Sequence, residues 1–503
     1  MNFIDRASQQ RRWSQVIDLI AILFFLIIII SPVFFIFTGL GNFVFSIQMQ
    51  DALVVSFSIA ILVTIIDLLF GIPLAWLLAR KQFPLKRVVD TLVDLPLVIP
   101  TSALGLSIAL FWGTSGIGFL APGFLMIVLL HITFTFPYVV RTTQAAILGI
   151  DGDLGRAAST LGASPLLSFR TIWLPLFRAG AISGALLAFT RSLGETGATL
   201  IVAGAVQTVP ILTVYYKNSI PTNMDAAISL SAIFLIISVF IFMVAHSQLV
   251  PASLRMRKVN AQAEKRLSQL GVFSDAASVL FLFLLVLLPS FYFLRFMGFD
   301  FGITSLLTDS ILISFLVAGA ATLLSLVFGI PLALYIASKQ KLSNIMKLLN
   351  DMGMIMPTVT IGLSLSLFWA GRAPDAIILV LAHTAIIFPY FVGSVSEVLS
   401  ELDENLVQVA RSLGASPFYA FHTVILPLAK PSIIAGIVVA FMRSVSETGG
   451  TLAVSSKIQT VPLLIVNLSK AGDSAQAAFS AAVLVALALV FVLALRWNQQ
   501  KKW

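Results

Sequence analysis

"ASTLGASPLLSFRTIWLP", Ala158 to Pro175, interrupts a chain that is otherwise close to hydrocarbon. It holds a glycine, two prolines, an arginine and several hydroxyls. A near copy, "ARSLGASPFYAFHTVILP", runs from Ala410 to Pro427, 252 positions later. Two matching polar breaks imply two matching apolar frames, and the flanking sequence supplies them.

Hydrophobic residues make up 59% of the 503 and charged residues 11%, with a mean hydropathy of +1.02. A soluble domain carries about a quarter charged residues, so this excess of apolar surface has to face lipid. A bilayer core about 30 Å thick needs roughly 20 apolar residues per helix. The chain has room for about a dozen such spans and little else. Apolar runs place them near 16–37, 52–79, 90–113, 118–147, 174–203 and 225–247. A second set lies near 275–297, 306–338, 346–370, 374–400, 429–455 and 473–496.

The run Val16 to Phe37 follows Arg6, Arg11 and Arg12 and is too long for a signal peptide, so it reads as a retained first helix. With the N-terminus inside, most of the 31 Lys and Arg fall on the cytoplasmic side, including Arg80, Lys81, Lys86 and Arg87. Lys217, Arg372, Lys457 and Lys470 fall outside. That distribution accounts for the net charge of +9 without a nucleic-acid partner. Both termini are expected in the cytoplasm. There are no cysteines, which excludes disulfides and thiolate chemistry.

A polar, basic stretch at 249–274 divides the chain into halves, 1–248 and 275–503, of six helices each. "HITFTFPY" at His131–Tyr138 answers "HTAIIFPY" at His383–Tyr390, again offset by 252. "RSLGETGATL" at Arg191 answers "RSVSETGGTL" at Arg443, and "FGIPLA" recurs at Phe70 and Phe328. An even number of helices per half gives both copies the same orientation. The fold class is therefore an all-α polytopic membrane protein, about 12 transmembrane helices in two parallel six-helix repeats, with a pathway between the halves.

Each polar break follows the fourth helix of its half, on the cytoplasmic side. Gly162 and Gly414 suit a left-handed helix end, and Ser164-Pro165 and Ser416-Pro417 suit an N-cap followed by proline. The expected order is helix, turn, short helix, then re-entry at Leu174-Pro175 and Leu426-Pro427. Leu166, Phe169 and Trp173 share one face of the short helix, as do Phe418, Phe421 and Ile425. Two such prongs suit a partner that is itself a dimer.

The spacing Ala157-Ala158, Gly162, Ile172, Leu174-Pro175, with Ala410, Gly414, Val424 and Leu426-Pro427, resembles the EAA loop of ABC-importer permeases in a fused, double-length form. The family's leading glutamate is Arg156 here and Gln408 in the second copy, where Val409 replaces an alanine. The resemblance implies a permease subunit of a prokaryotic cytoplasmic membrane. Two copies of a cytoplasmic ATPase would dock at Ala157, Ala158, Gly162, Ser164, Pro165 and Phe169, and at Ala410, Gly414, Ser416, Pro417 and Phe421. It also implies an extracytoplasmic solute-binding protein. The chain has no Gly-Lys dipeptide and so no P-loop, which places any ATPase on another polypeptide.

Arg191–Glu195 and Arg443–Glu447 are spaced i, i+4 on the fifth helix of each half. A charge at mid-bilayer costs roughly 2.5–3.5 kcal/mol on insertion scales, so two per copy need a reason. They read either as self-neutralising pairs or, with Thr196 and Thr448, as the lining or gate of the pathway. Asp67, opposite Ser325, and the matched Asp94 and Asp351 read as structural. His131 and His383 read as helix contacts, with no metal or other cofactor expected.

"LGETGAT", Leu193–Thr199, is similar to permeases for molybdate, tungstate or sulfate, although Thr196 stands in place of an aromatic residue. The fused length instead resembles iron(III) and thiamine importers. An oxyanion is the favoured solute on the motif. The rival class is a twelve-helix ion-coupled carrier, which would have no use for the duplicated loop.

Overall fold

The computed structural model describes residues 15–219, 223–247, 273–297, 304–338, 342–402, 404–455 and 457–500. Arg6, Arg11, Arg12 and most of the basic stretch at 249–274 lie outside the described residues. Every regular element among the described residues is helical. Among the described residues, ten helices are long and apolar enough to cross a bilayer, and counting each of two bent pairs as one span gives up to 12.

The bent pairs correct the spans expected at 90–113 and 346–370. Helix Lys86–Val98 meets Thr101–Trp112 at 105°, and Ser343–Gly353 meets Thr358–Trp369 at 107°. Pro100 and Pro357 stand at the corners with extended ψ values of 139° and 133°. A proline also pushes the residue before it out of the helical region, and Ile99 has ψ 127°. The helix beyond each corner has 12 residues. At 1.5 Å per residue that is about 18 Å, too short to cross the hydrocarbon core.

Proline also explains four π-helical turns. Phe25–Ile30, Phe169–Trp173, Leu282–Leu287 and Phe421–Ile425 each end two residues before a proline: Pro32, Pro175, Pro289 and Pro427. Proline donates no N–H and its ring crowds the carbonyl four residues back. Widening the turn to i→i−5 relieves that crowding without breaking the helix. In consequence Pro165–Gly194 forms one continuous helix. The re-entry expected at Leu174-Pro175 is a wide turn rather than a break.

The two halves interlock through their first helices. Phe24, in Gln15–Asn42, stacks on Phe328 at 3.9 Å and lies 6.0 Å from Phe388. Phe281, in Phe273–Phe296, stacks on Phe70 at 4.2 Å and lies 5.2 Å from Phe136. Phe328 and Phe388 are the repeat counterparts of Phe70 and Phe136. Each first helix therefore packs on the opposite half, and the two contacts are equivalent under the pseudo-two-fold symmetry that two parallel repeats imply. Lipid gives helices no hydrophobic reason to associate, so such ring packing, about 0.5–1.5 kcal/mol per pair, carries the contact.

Candidate functional site: a sealed seam and two elbows

The fifth spans end earlier than their hydropathy indicates. Leu174–Gly194 stops before Glu195, which is extended at ψ 129°, and the chain resumes as the short helix Gly197–Val202. Leu426–Val445 likewise stops, and Gly449–Val454 follows. This corrects the placement of the glutamates. Arg191 and Arg443 are on the long helices, while Glu195 and Glu447 occupy the breaks beyond them.

Each glutamate is held from both sides. Arg191 pairs with Glu195 at 2.8 Å, and Glu195 Oε1 accepts from the Ala198 amide at 3.2 Å. Arg443 donates to Glu447 Oε2 at 2.6 Å, and Gly450 N donates to Oε1 at 2.9 Å. A carboxylate at the start of a helix satisfies amides that have no partner within it. The i, i+4 spacing thus joins the last turn of one helix to the first turn of the next. Glu195 and Glu447 are buried.

The histidines bridge the same breaks. His131 lies 2.7 Å from Ser192 Oγ and 3.0 Å from Thr199 Oγ1, one on each side of Glu195. His383 lies 2.8 Å from Ser444 Oγ and 3.0 Å from Thr451 Oγ1. Both ring nitrogens are occupied in each copy, which leaves them no lone pair for a metal.

At the centre the halves touch reciprocally. A Cβ built on Gly197 would lie 2.4 Å from Thr448 Cβ, and one on Gly449 would lie 2.6 Å from Thr196 Oγ1. Thr196 and Thr448 are buried. Beside this seam, Thr190, Arg191, Thr358, Tyr390 and Arg443 line a cavity of about 20 Å³. That holds a single water and no solute. The two arginines and two glutamates leave the seam without net charge. In this conformation it is shut.

At the elbows, Gly162 and Gly414 have φ of +81° and +90°, the left-handed values that glycine adopts without penalty. Ser164 accepts from Leu167 N at 3.1 Å and Ser416 from Tyr419 N at 3.2 Å, so both serines cap as the sequence implies. Pro165 and Pro417 open the helices that follow. Ala157 is exposed, Ala158 buried and Ala410 half-buried. Phe169 and Phe421 are half-buried.

The apolar stripe on the first short helix faces the bundle. Phe169 packs edge-on to Trp76 at 5.2 Å, and Trp173 is buried beneath Arg80, whose guanidinium sits 4.0 Å above the ring. The side chain of Phe418 is outside the described residues. The most exposed apolar side chains of the elbows are Leu161 and Leu413, 88% and 83% exposed, directly before the glycines, and Val409 and Tyr419 are exposed as well. Leu154 and Leu406, seven residues earlier, are also exposed, one on each preceding helix, Asp153–Thr160 and Glu404–Ser412. Sequence reasoning passed over these leucines, although both pairs recur at the same 252-residue offset.

A charged clamp was also missed. Arg141 donates to Asp94 at 2.7 and 2.8 Å and to Asp90 at 2.6 Å, tying Phe124–Leu148 to the helix Lys86–Val93. Partial burial pushes the Asp90 carboxyl up, and hydrogen bonds from Arg141 and Gln144 outweigh it and hold it below the usual range. Asp94 is structural, as expected, but sits in the corner after that helix rather than at the start of a span.

The sequence pattern of the "Binding-protein-dependent transport system inner membrane component" family fits residues 71–253 and again 325–500. The chain belongs to that family. Two matches in one polypeptide make it the fused, double-length form of a type I ABC permease, and the ion-coupled carrier reading falls. Both first helices, Gln15–Asn42 and Phe273–Phe296, lie outside the matched ranges.

A probable sulfate transport system permease protein cysT of Chlorokybus atmophyticus is 36% identical over 172 residues, 32% of this chain and 60% of the relative. A molybdate/tungstate transport system permease protein WtpB of Pyrococcus furiosus is 33% identical over 180 residues, 36% of this chain and 71% of the relative. A probable cysT of Mesostigma viride is 33% identical over 222 residues, 40% of this chain and 80% of the relative. The chain thus spans between 60% and 80% of the length of these relatives.

Proposed function

We propose that this chain is the membrane subunit of an ATP-driven importer that admits an oxyanion of the molybdate, tungstate or sulfate type. In this reading residues 1–248 and 275–503 form the two permease halves, joined by a cytoplasmic linker at 249–274. The pathway runs between them and is gated by Thr196, Thr448 and the Arg191–Glu195 and Arg443–Glu447 pairs. Both termini face the cytoplasm of a prokaryotic cell. Two ATPase copies grip the elbows at Gly162 and Gly414, and an extracytoplasmic binding protein delivers the solute.

The observation that carries the reading is the seam. Gly197 meets Thr448 and Gly449 meets Thr196, so two equivalent elbows move two equivalent sides of one contact. The names of the relatives support the solute class.

The test is uptake of labelled molybdate and sulfate by proteoliposomes containing the chain, its ATPase and its binding protein. The expected result is uptake that needs ATP and is not displaced by iron(III) or thiamine. Uptake of iron(III) or thiamine instead overturns the solute class, and uptake driven by an ion gradient without ATP overturns the importer.

A further inference from the structure

Asp67 lies in the helix Ile47–Arg80 and is 0% exposed. Its Oδ2 is 2.6 Å from Thr135 Oγ1, and that same hydroxyl is 2.7 Å from the backbone oxygen of His131. A hydroxyl has one hydrogen, and a carbonyl oxygen only accepts. Were Asp67 ionised, the hydroxyl would face two acceptors with one hydrogen, leaving two oxygens in contact with none between them. A hydrogen on Oδ2 resolves the conflict. Asp67 then donates to Thr135, and Thr135 donates to the His131 carbonyl.

The surroundings agree with this count. On the helices packed against Asp67, the ring of His131 is bonded to Ser192 and Thr199. Arg141 is engaged by Asp90 and Asp94, and Arg191 by Glu195. Asp67 Oδ1 has no hydrogen-bond partner among the described residues. A carboxylate buried without a counter-charge is far costlier than a neutral acid in the same place.

The second half shows that the helix contact does not require the acid. Ser325 stands opposite Asp67 and donates to Ala321 O at 2.9 Å, and Ile387 replaces Thr135. We propose that Asp67 is a proton-binding site particular to the first half, where a neutral carboxylic acid links the second span to the carbonyl of the residue that bridges the helix break at Glu195. This does not depend on the identity of the solute.

Infrared spectra of the full chain in phosphatidylcholine vesicles test it, with aspartate 13C-labelled at the carboxyl and the sample near neutral pH. The expected result is an acid C=O stretch that is lost completely in Asp67→Asn and moves to higher frequency in Thr135→Val. If Asp67→Asn removes a carboxylate stretch instead, the proposal is wrong. Should that variant not fold, Thr135→Val decides alone: a moved acid band supports the site, and an unmoved or absent one overturns it.

Discussion

Gly197 of one half lies so close to Thr448 of the other that any Cβ at position 197 would overlap the threonine side chain at 2.4 Å. Gly449 and Thr196 repeat the contact across the pseudo-two-fold. Overpacking of this kind costs about 1–3 kcal/mol where the backbone cannot retreat. Gly197→Ala should therefore hold the seam ajar, with leakage of solute in vesicles lacking ATP. Thr448→Gly in the same chain should restore the seal. A Gly197→Ala variant that stays tight would show that this contact does not close the pathway.

The buried ion pairs make a different prediction. Removing one partner of a buried pair costs about 3–5 kcal/mol because the other charge is stranded, whereas removing both can be near neutral. Glu447→Gln should lower thermal stability, and Arg443→Met with Glu447→Met should recover most of it. Glu195→Gln with Glu447→Gln should reduce uptake while the ATPase still assembles. Thermal melts and vesicle uptake separate the two effects.

His131 carries hydrogen bonds to both sides of a helix break. Replacement by Phe strands Ser192 and takes one of the two partners of Thr199, which still donates to the Glu195 carbonyl at 3.1 Å, at about 1–3 kcal/mol for a buried group left unpaired. The melting temperature should fall in His131→Phe, and similarly in His383→Phe. Chelators should leave the wild-type melt unchanged, since neither ring has a nitrogen to spare.

How much of this was legible in the sequence depended on what local signals report. The elbows were readable because Gly162, Ser164 and Pro165 determine backbone conformation by themselves. The corners at Pro100 and Pro357 were visible as prolines but were overruled by continuous hydropathy through 90–113 and 346–370. The break at Glu195 was hidden for the same reason, since apolar residues continue on both sides of it. The exchange of first helices left no local mark: Phe24 and Phe328 are ordinary apolar positions until tertiary packing brings them together. The ion pair that was one of two readings of Arg191 and Glu195 is present, although a helix end rather than a helix interior supplies it.

The elbows offer a test on residues that fold the chain least. Leu161 and Leu413 are almost fully exposed, so charging them should leave stability within about 0.5 kcal/mol. Leu161→Glu with Leu413→Glu should nevertheless abolish co-purification of the ATPase. Phe169→Ala should do the opposite, destabilising the permease through its lost packing against Trp76 while sparing attachment. If the leucine variant keeps the ATPase, docking lies elsewhere on the chain.

The halves are not equivalent at the corner beside Arg141, and that asymmetry is open to measurement. Arg141 binds Asp90 and Asp94, but its repeat position is Gly393, where a Cβ would lie 2.6 Å from the end of Met354. One corner is held by charge and the other by close packing. The Arg141 pairs are partly exposed, so screening reduces each to about 1 kcal/mol or less. Arg141→Ala should then lower stability modestly, and less at high salt, where the wild-type pairs are already weakened. Gly393→Ala meets only the flexible end of Met354, which can swing aside, so it should cost little and show no salt dependence. Melting curves at low and high ionic strength distinguish the two, and equal salt response in both variants would mean that the arginine contributes packing rather than charge.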